Sequence, residues 1–290
     1  MQTVTPFLWF NDNAQQAIDL YRRAFTDTEV INRQTAGPAE TDPLVMATVR
    51  LAGLEMMLLN GGPAYTFTPA VSYFVTCPTP NDVEVIWEML VDGGSELMEL
   101  GEYPFSERYG WLADRFGVSW QIGVGPGPQS ITPFLMFVGE QHGRAQEAMN
   151  LYTSVLPRSA IDSVALWQPG MPEPAGTVMY ATFNLMGWRF MAMDSAQNHQ
   201  FTFSPANSFM IMCENQAEVD HYWDGLLAGG GEPGQCGWLK DRFGVSWQII
   251  PRQLGQLMAD PDPARAGRVR EAMFGMGKID IPGLERSHGR

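Results

Sequence analysis

The sequence predicts an α+β protein made of two tandem copies of one small module. The segment GWLADRFGVSWQI at residues 110–122 returns as GWLKDRFGVSWQI at residues 237–249. Other segments recur in the same order, beginning with TPFLWF at residues 5–10 and TPFLMF at residues 132–137. The interval between copies is too long for a solenoid repeat, so the pattern indicates duplication of a whole module.

The module boundaries follow from composition. The Pro/Gly-rich stretch GVGPGPQSIT, residues 123–132, is typical of a linker. We therefore predict a first module at residues 1–124 and a second at residues 130–251. Beyond Pro251 the chain is more charged, and residues 252–290 are expected to form a C-terminal, helical appendage.

Each copy begins with an apolar strand followed by a helix. The strand covers residues 7–10 in the first copy and residues 134–138 in the second. Residues 14–25 then place apolar side chains at helical spacing, and Asp12 or Asn13 is a suitable N-cap. This pattern predicts an amphipathic helix packed on the sheet.

The rest of each copy is predicted to be strand-rich. In the first copy, strands at residues 45–51 and 54–59 are joined by a tight turn at Ala52-Gly53. A strand at residues 71–76 leads into a helix at residues 81–92, and the repeated Trp segment closes the copy as a strand.

Apolar and polar residues alternate along the closing strand, so they point to opposite faces of the sheet. Val118, Trp120 and Ile122 share the apolar face, whereas Ser119 and Gln121 share the other. Because the same polar set recurs in the second copy, we expect it to line a small-molecule cleft of mixed methionine, aromatic and polar character. The expected cleft residues are Trp9, Met56, Asn60, Ser72, Gln121, Trp188, Asp194, Ser208, Met210 and Gln248.

The two copies differ next to this cleft. The first carries an insertion, MELGEYPFSERY at residues 98–109, which is expected to cover one cleft. Cys236 stands where the first copy has Tyr109, and no basic neighbour other than Lys240 is close in sequence to activate it. We interpret Cys236 as an unreactive thiol.

The composition limits the kinds of molecule that the protein is expected to bind. The chain has 290 residues, is 45% hydrophobic and carries a formal net charge of -14. This charge disfavours nucleic acid and anionic membranes as partners. There is no apolar run of about 18 residues that would span a membrane. With only three cysteines and no secretion signal, the expected location is cytoplasmic.

The segments TPFLWFNDNAQQAIDLYRRAF, AVSYFVTC and CGWLKDRFGVSWQIIP resemble the PhnB-like family, whose members often carry the label 3-demethylubiquinone-9 3-methyltransferase. That family belongs to the vicinal-oxygen-chelate superfamily, which includes glyoxalase I, extradiol dioxygenases and bleomycin-resistance proteins. The resemblance covers nearly the whole chain. It implies tandem βαβββ modules of the glyoxalase type, whose mixed, curved sheets form clefts with the helices outside.

The resemblance also implies a divalent metal in many relatives, held by His, Glu or Gln side chains on the strands. Where those relatives have a glutamate in the closing strand, this chain has Gln121 and Gln248. The other aligned positions carry Ser72, Ser208, Asn60 and Asp194. These side chains are a poor donor set, and Asp194 with Gln248 is the one weak candidate for a metal site.

We therefore favour a small-molecule-binding protein without a resident metal or other cofactor, whose ligand is apolar or aromatic. One alternative is a metal-dependent lyase, isomerase or dioxygenase acting on a vicinal-oxygen substrate. Another is the methyltransferase of the family label, which we disfavour because no Gly-rich turn follows a strand. The sequence leaves the oligomeric state open, and a homodimer is compatible with it.

Overall fold

Four units with the same order of elements make up most of the chain: one strand, one helix and three further strands. The computed structural model describes residues 4–37, 39 and 41–289. Units 1 and 2 form repeat one, and units 3 and 4 form repeat two. The βαβββ arrangement implied by the resemblance is therefore present, and each repeat contains it twice.

The bounds of the elements show how regular the units are. Unit 1 contains β1 (Val4–Phe10), α1 (Ala14–Ala24), β2 (Glu29–Thr35), β3 (Leu44–Leu51) and β4 (Leu54–Asn60). Unit 2 contains β5 (Val71–Cys77), α2 (Pro80–Val91), β6 (Ser95–Tyr103), β7 (Ser106–Ala113) and β8 (Ser119–Val124). Unit 3 contains β9 (Ser130–Phe137), α3 (Ala145–Val155), β10 (Ala160–Leu166), β11 (Val178–Leu185) and β12 (Trp188–Asp194). Unit 4 contains β13 (Asn207–Cys213), α4 (Gln216–Leu227), β14 (Glu232–Pro233), β15 (Trp238–Lys240) and β16 (Ser246–Pro251).

Local chemistry explains several of these boundaries. The turn between β3 and β4 has positive φ at both Ala52 and Gly53, as a two-residue hairpin turn of the primed type requires. Thr79 caps α2 by accepting a hydrogen bond from the backbone of Asp82, with Pro80 at the first turn. Strand β2 was not predicted because it is a polar edge strand with mostly exposed side chains.

Each of the two sheets is shared between the repeats. Sheet A has the order β14-β15-β16-β13-β1-β4-β3-β2, which joins unit 4 to unit 1. Sheet B has the order β10-β11-β12-β9-β5-β8-β7-β6, which joins unit 3 to unit 2. The junctions are antiparallel, with Phe7 opposite Ser208 in sheet A and Ser72 opposite Phe134 in sheet B.

Helices α1 to α4 cover one face of the sheets, which we call the helix face. A continuous hydrophobic core lies there and includes the fully buried Trp120, Trp247, Tyr21 and Tyr152. The opposite face of each sheet carries none of the helices α1 to α4 in the described residues, and we call it the open face.

The appendage contains three helices, α5 (Arg252–Met258), α6 (Pro263–Phe274) and α7 (Ile281–His288). Leu254, Val269, Ile279 and Leu284 form a small core of their own. The backbone of Cys236 donates to Met276 O at 2.7 Å, so the appendage is attached beside β15. In the described residues, no helix has the length and hydrophobicity needed to span a bilayer.

Candidate functional site

The open faces are lined by residues in register across neighbouring strands. In sheet A, Thr5 lies opposite Met210, Met210 beside Gln248, and Gln248 opposite Trp238. Phe7 lies between Met57 and Ser208 in the adjacent row. In-register neighbours point to the same side of a sheet, so these side chains form one continuous surface.

Buried apolar residues on the open faces are separate from the main core. They are Phe7 and Met210 in sheet A, and Tyr109, Phe134, Met136 and Met191 in sheet B. None of them belongs to the core under the helices. Each open face is therefore a second, sheltered apolar surface.

A serine and a glutamine form the same polar pair on both faces. Gln121 Nε2 donates to Ser72 Oγ at 2.8 Å, and Gln248 Nε2 donates to Ser208 Oγ at 2.9 Å. Gln121 is 7% exposed and Gln248 is 4% exposed. The hydrogen bond to serine thus orients the amide of each glutamine.

The two glutamines differ in what reaches their oxygen. The hydroxyl of Tyr109 donates to Gln121 Oε1 at 2.7 Å. Burial raises the pKa of the Tyr109 phenol above its ordinary value, so the hydroxyl keeps the proton that it donates. At the corresponding position of repeat two stands Cys236, and no donor in the described part of the chain reaches Gln248 Oε1.

The insertion of repeat one places Tyr109 over the open face of sheet B. It forms the long β6–β7 hairpin at the edge of that sheet. The Tyr109 ring packs 6.3 Å from Phe74 in a stacked arrangement and also contacts Tyr103 and Phe105. The open face of sheet B is thereby partly filled by the protein's own side chains.

Aromatic side chains border Gln248 on sheet A. The Trp238 ring lies 6.0 Å from Phe7 and 6.0 Å from Trp9, edge to face in both cases. The Trp9 indole is held by a 2.8 Å hydrogen bond to Gly62 O and by the Tyr65 ring at 5.1 Å. This surface offers a rigid aromatic wall beside an acceptor that lacks a donor.

The structure places six of the expected cleft residues on the open faces. Trp9, Ser208, Met210 and Gln248 lie on sheet A, whereas Ser72 and Gln121 lie on sheet B. The sequence analysis did not identify Phe7, Trp238 or Tyr109 as site residues. A signal for Phe7 and Trp238 was present, since alternation puts Phe7 with Trp9, and Trp238 pairs with the strand of Gln248.

The expectation for Asn60 and Asp194 is wrong. Asn60 Oδ1 accepts from the backbone of Ala14 at 2.9 Å, so it caps α1 in place of the predicted Asp12 or Asn13 side chain. Asp194 Oδ1 accepts from Gly143 and Ala145, which caps α3 in the same way. Both side chains therefore serve the helix starts on the helix face.

The expectation for Met56 and Trp188 is also wrong. Met56 lies opposite Val49 and is 1% exposed within the main core, so Met57 is the residue that faces the open side. Trp188 points to the same side of β12 as Phe190 and packs against the main core. Each lies one residue out of phase with the open face.

These placements do not fit the metal site that the fold implies. Asp194 is in sheet B and Gln248 is in sheet A, so the two weak candidates do not meet. The carboxylate oxygens of Asp194 accept three backbone hydrogen bonds. Within the described residues, no three His, Cys, Asp or Glu side chains are grouped as metal ligands.

Asp114 and Asp241 have a structural role that sequence reasoning missed. Asp241 is 2% exposed and accepts from the Tyr152 hydroxyl at 2.7 Å and from the Trp247 indole at 2.9 Å. Two backbone N–H groups, of Phe243 and Val245, bond to its other oxygen. Burial raises the pKa of Asp241, while the four donors oppose the shift.

Asp114 is bonded in the same way in repeat one, to Tyr21, Trp120 and two backbone N–H groups. Each aspartate therefore links the first helix of its repeat to the repeat's closing strand. The D-x-x-G-V pattern with a downstream Trp was the available signal, since Gly117 and Gly244 adopt positive φ in the turn that the aspartate fixes.

The three cysteines should react slowly with thiol reagents in the folded protein. Burial raises the pKa of Cys77 and Cys213 to about 12, and it also raises the pKa of the half-buried Cys236. We expect less than about one thiol to react rapidly with a chromogenic disulfide at pH 8, and all three to react after denaturation in urea. A fast stoichiometric reaction of Cys236 would contradict the interpretation of an unreactive thiol.

The chain has a fold of the glyoxalase type. Glyoxalase I from Zea mays, at 10% sequence identity, aligns with 90% of this chain and 98% of its own, with a TM-score of 0.54. This likeness concerns the fold alone. The family model described as 3-demethylubiquinone-9 3-methyltransferase matches residues 2–123 and again residues 129–250, and the chain belongs to that family.

Two further relatives each match less than half of this chain. A PhnB protein from Bacillus cereus is 36% identical and covers 42% of this chain and 98% of its own, with a TM-score of 0.39. An uncharacterised protein of Mycobacterium tuberculosis is 31% identical over 120 residues, which are 39% of this chain and 68% of the relative. The resemblance to the PhnB-like family is confirmed.

Proposed function

We propose that the protein binds a small, flat, mainly apolar molecule on the open face of sheet A, with Gln248 accepting a hydrogen bond from the ligand. One observation carries this proposal. On the open face of sheet A, Gln248 Oε1 has no hydrogen-bond donor among the described residues, whereas the equivalent oxygen of Gln121 is bonded to Tyr109.

A hydrogen bond from a ligand O–H or N–H group to this oxygen contributes about 0.5–1.5 kcal/mol to binding. Tyr109 shows which group suits the position, since a phenolic hydroxyl satisfies the same amide in sheet B. Phe7, Trp9 and Trp238 then provide apolar contact for a flat ring. The preferred ligand class is therefore an aromatic molecule with one hydrogen-bond donor.

The proposal includes no resident metal, because Asn60 and Asp194 cap helix starts and no three His, Cys, Asp or Glu side chains of the described residues are grouped as metal ligands. The competing functions are a metal-dependent lyase, isomerase or dioxygenase, and the methyl transfer that the family description names. A metal-dependent enzyme predicts about one equivalent of divalent ion after purification without chelator. A methyltransferase predicts saturable binding of S-adenosylmethionine.

The test uses 1-naphthol as the probe and 1-methylnaphthalene as a control of similar shape that lacks the donor. Equilibrium dialysis should show one 1-naphthol per chain, bound about tenfold or more tightly than the control. Removal of trace metal with a chelator should leave this affinity unchanged. Equal affinity for the two probes, or loss of 1-naphthol binding with the metal, would refute the proposal.

A further inference from the structure

A groove in repeat one is lined by aromatic and polar residues. It has a volume of about 520 Å³ and lies between the end of β1, the start of α1 and the turn that follows β7. Its walls include Trp9, Asn13, Tyr65, Phe67 and Phe116. It is outside the two neighbouring rows that contain Ser208 and Gln248 on sheet A, although Trp9 borders both regions.

In repeat two an arginine fills the corresponding place. Arg144 stands at the start of α3, and its guanidinium carbon lies 4.5 Å from the centre of the Phe243 ring. Arg144 Nη1 donates to Arg242 O at 3.1 Å and to Gln141 Oε1 at 2.9 Å. Glu147 forms an ion pair with this guanidinium at 3.1 Å.

Repeat one keeps the aromatic ring and loses the arginine. The helix starts align at Ala14 and Ala145, so Asn13 replaces Arg144 and Gln16 replaces Glu147. Phe116 replaces Phe243 in the repeated DRFG segment. The loop before the helix is also shorter, residues 11–12 against residues 138–143, which removes the equivalent of Gln141.

The Phe116 ring of repeat one therefore has no arginine stacked on it among the described residues. In the described part of the chain, cation–π contacts occur only at Phe243, where both Arg144 and Arg242 are stacked. Arg115, the counterpart of Arg242, is instead directed to an ion pair with Asp92. The charge of Arg115 is thereby compensated and does not repel a cation placed over Phe116.

We propose that this groove binds a small molecule with a flat amidinium or guanidinium group, which occupies over Phe116 the place that Arg144 occupies over Phe243. The carbonyl oxygen of Arg115 and the side chains of Asn13 and Gln16 supply acceptors in place of Arg242 O, Gln141 and Glu147. Trp9 and Tyr65 give an aromatic extension of the ligand a surface to pack on, since the groove is much larger than a guanidinium group. The net charge of -14 favours the approach of a cation.

The experiment measures benzamidine binding by calorimetry, with the protein's NMR spectrum reporting the residues affected. The unmodified protein should bind one benzamidine per chain. Asn13→Arg supplies the arginine of repeat two within the chain and should weaken benzamidine binding at least about tenfold. Gln16→Glu supplies the missing carboxylate and should strengthen binding severalfold.

Two controls separate this site from the proposed function. Asn13→Arg should leave the affinity for 1-naphthol unchanged, because it lies outside the row of Gln248. Arg144→Ala should open a second groove, so that this variant binds two benzamidine molecules and gains more thermal stability from benzamidine than the unmodified protein does.

The proposal is overturned if millimolar benzamidine does not bind to the unmodified protein, or if Asn13→Arg binds it as tightly as the unmodified protein does. Should Asn13→Arg fail to fold, Phe116→Leu replaces it, and this variant must lose the same binding because it removes the aromatic face. Undiminished affinity of a folded Phe116→Leu protein would likewise refute the site.

Discussion

Replacing Asp241 by alanine should lower the free energy of unfolding by about 4 kcal/mol. The substitution leaves the Tyr152 hydroxyl, the Trp247 indole N–H and two backbone N–H groups without an acceptor in the core. Only the Tyr152 hydroxyl can also accept a hydrogen bond, so rearrangement among the four groups would still leave most of them without a partner. The loss should appear as a lower midpoint in urea denaturation with little change in slope.

The matched controls test whether the hydrogen bonds cause the effect. Asp241→Asn keeps the shape and one acceptor oxygen, so its loss of stability should be smaller than that of the alanine variant. Asp114→Ala removes the same arrangement from repeat one and should lose a similar amount. The exposed Glu102→Ala should change stability by less than about 0.5 kcal/mol. A loss below about 1 kcal/mol for Asp241→Ala would contradict the structural role of this aspartate.

Replacing Gln248 by leucine should weaken 1-naphthol binding about tenfold or more, whereas Gln121→Leu should leave it unchanged. The two glutamines have the same neighbours in sequence and the same bond to a serine. They differ in that Tyr109 already satisfies Gln121. The pair is thus a matched comparison within one chain, measured by equilibrium dialysis of both variants. Equal losses in the two variants would show that the binding surface is not confined to sheet A.

Replacing Tyr109 by alanine should create a second binding surface, whereas replacing Gln248 should remove the first. Without the phenol, Gln121 Oε1 loses its donor and the surface near Phe74 is uncovered, so the variant should bind a second 1-naphthol. Tyr109→Phe removes the hydroxyl and keeps the ring in place, so it should still bind one. A stoichiometry of one for the folded Tyr109→Ala variant would mean that the phenol does not block the face.

The sequence predicted the face of a strand correctly where apolar and polar residues alternate. The repeated RFGVSWQI segment alternates apolar and polar residues, and the structure places Trp120 and Gln121 on the opposite faces that the alternation predicts. Strand β4, with the sequence LEMMLLN, is apolar almost throughout and contains no such signal. The prediction for β4 was out of register by one residue, so it placed Met56 on the open face instead of Met57. A shift of one residue is enough to move a side chain to the other face of the sheet.

Other features had no local signal. Asn60 and Asp194 were assigned from the register of the family's metal ligands, although a side-chain oxygen at a strand end also suits a neighbouring helix start. The pairing of unit 1 with unit 4 could not be predicted, since each unit would show the same pattern in a sheet made within its own repeat. The same holds for Tyr109, whose contact with Gln121 depends on the fold of the β6–β7 hairpin.

The most direct test of the account is a crystal structure of the protein with 1-naphthol. We predict one molecule on the open face of sheet A, with its hydroxyl within hydrogen-bonding distance of Gln248 Oε1 and its ring against Trp238. The face of sheet B should contain the Tyr109 side chain and no ligand. A molecule bound on sheet B with the face of sheet A free, or a Gln248 amide turned away from a bound ligand, would contradict the account.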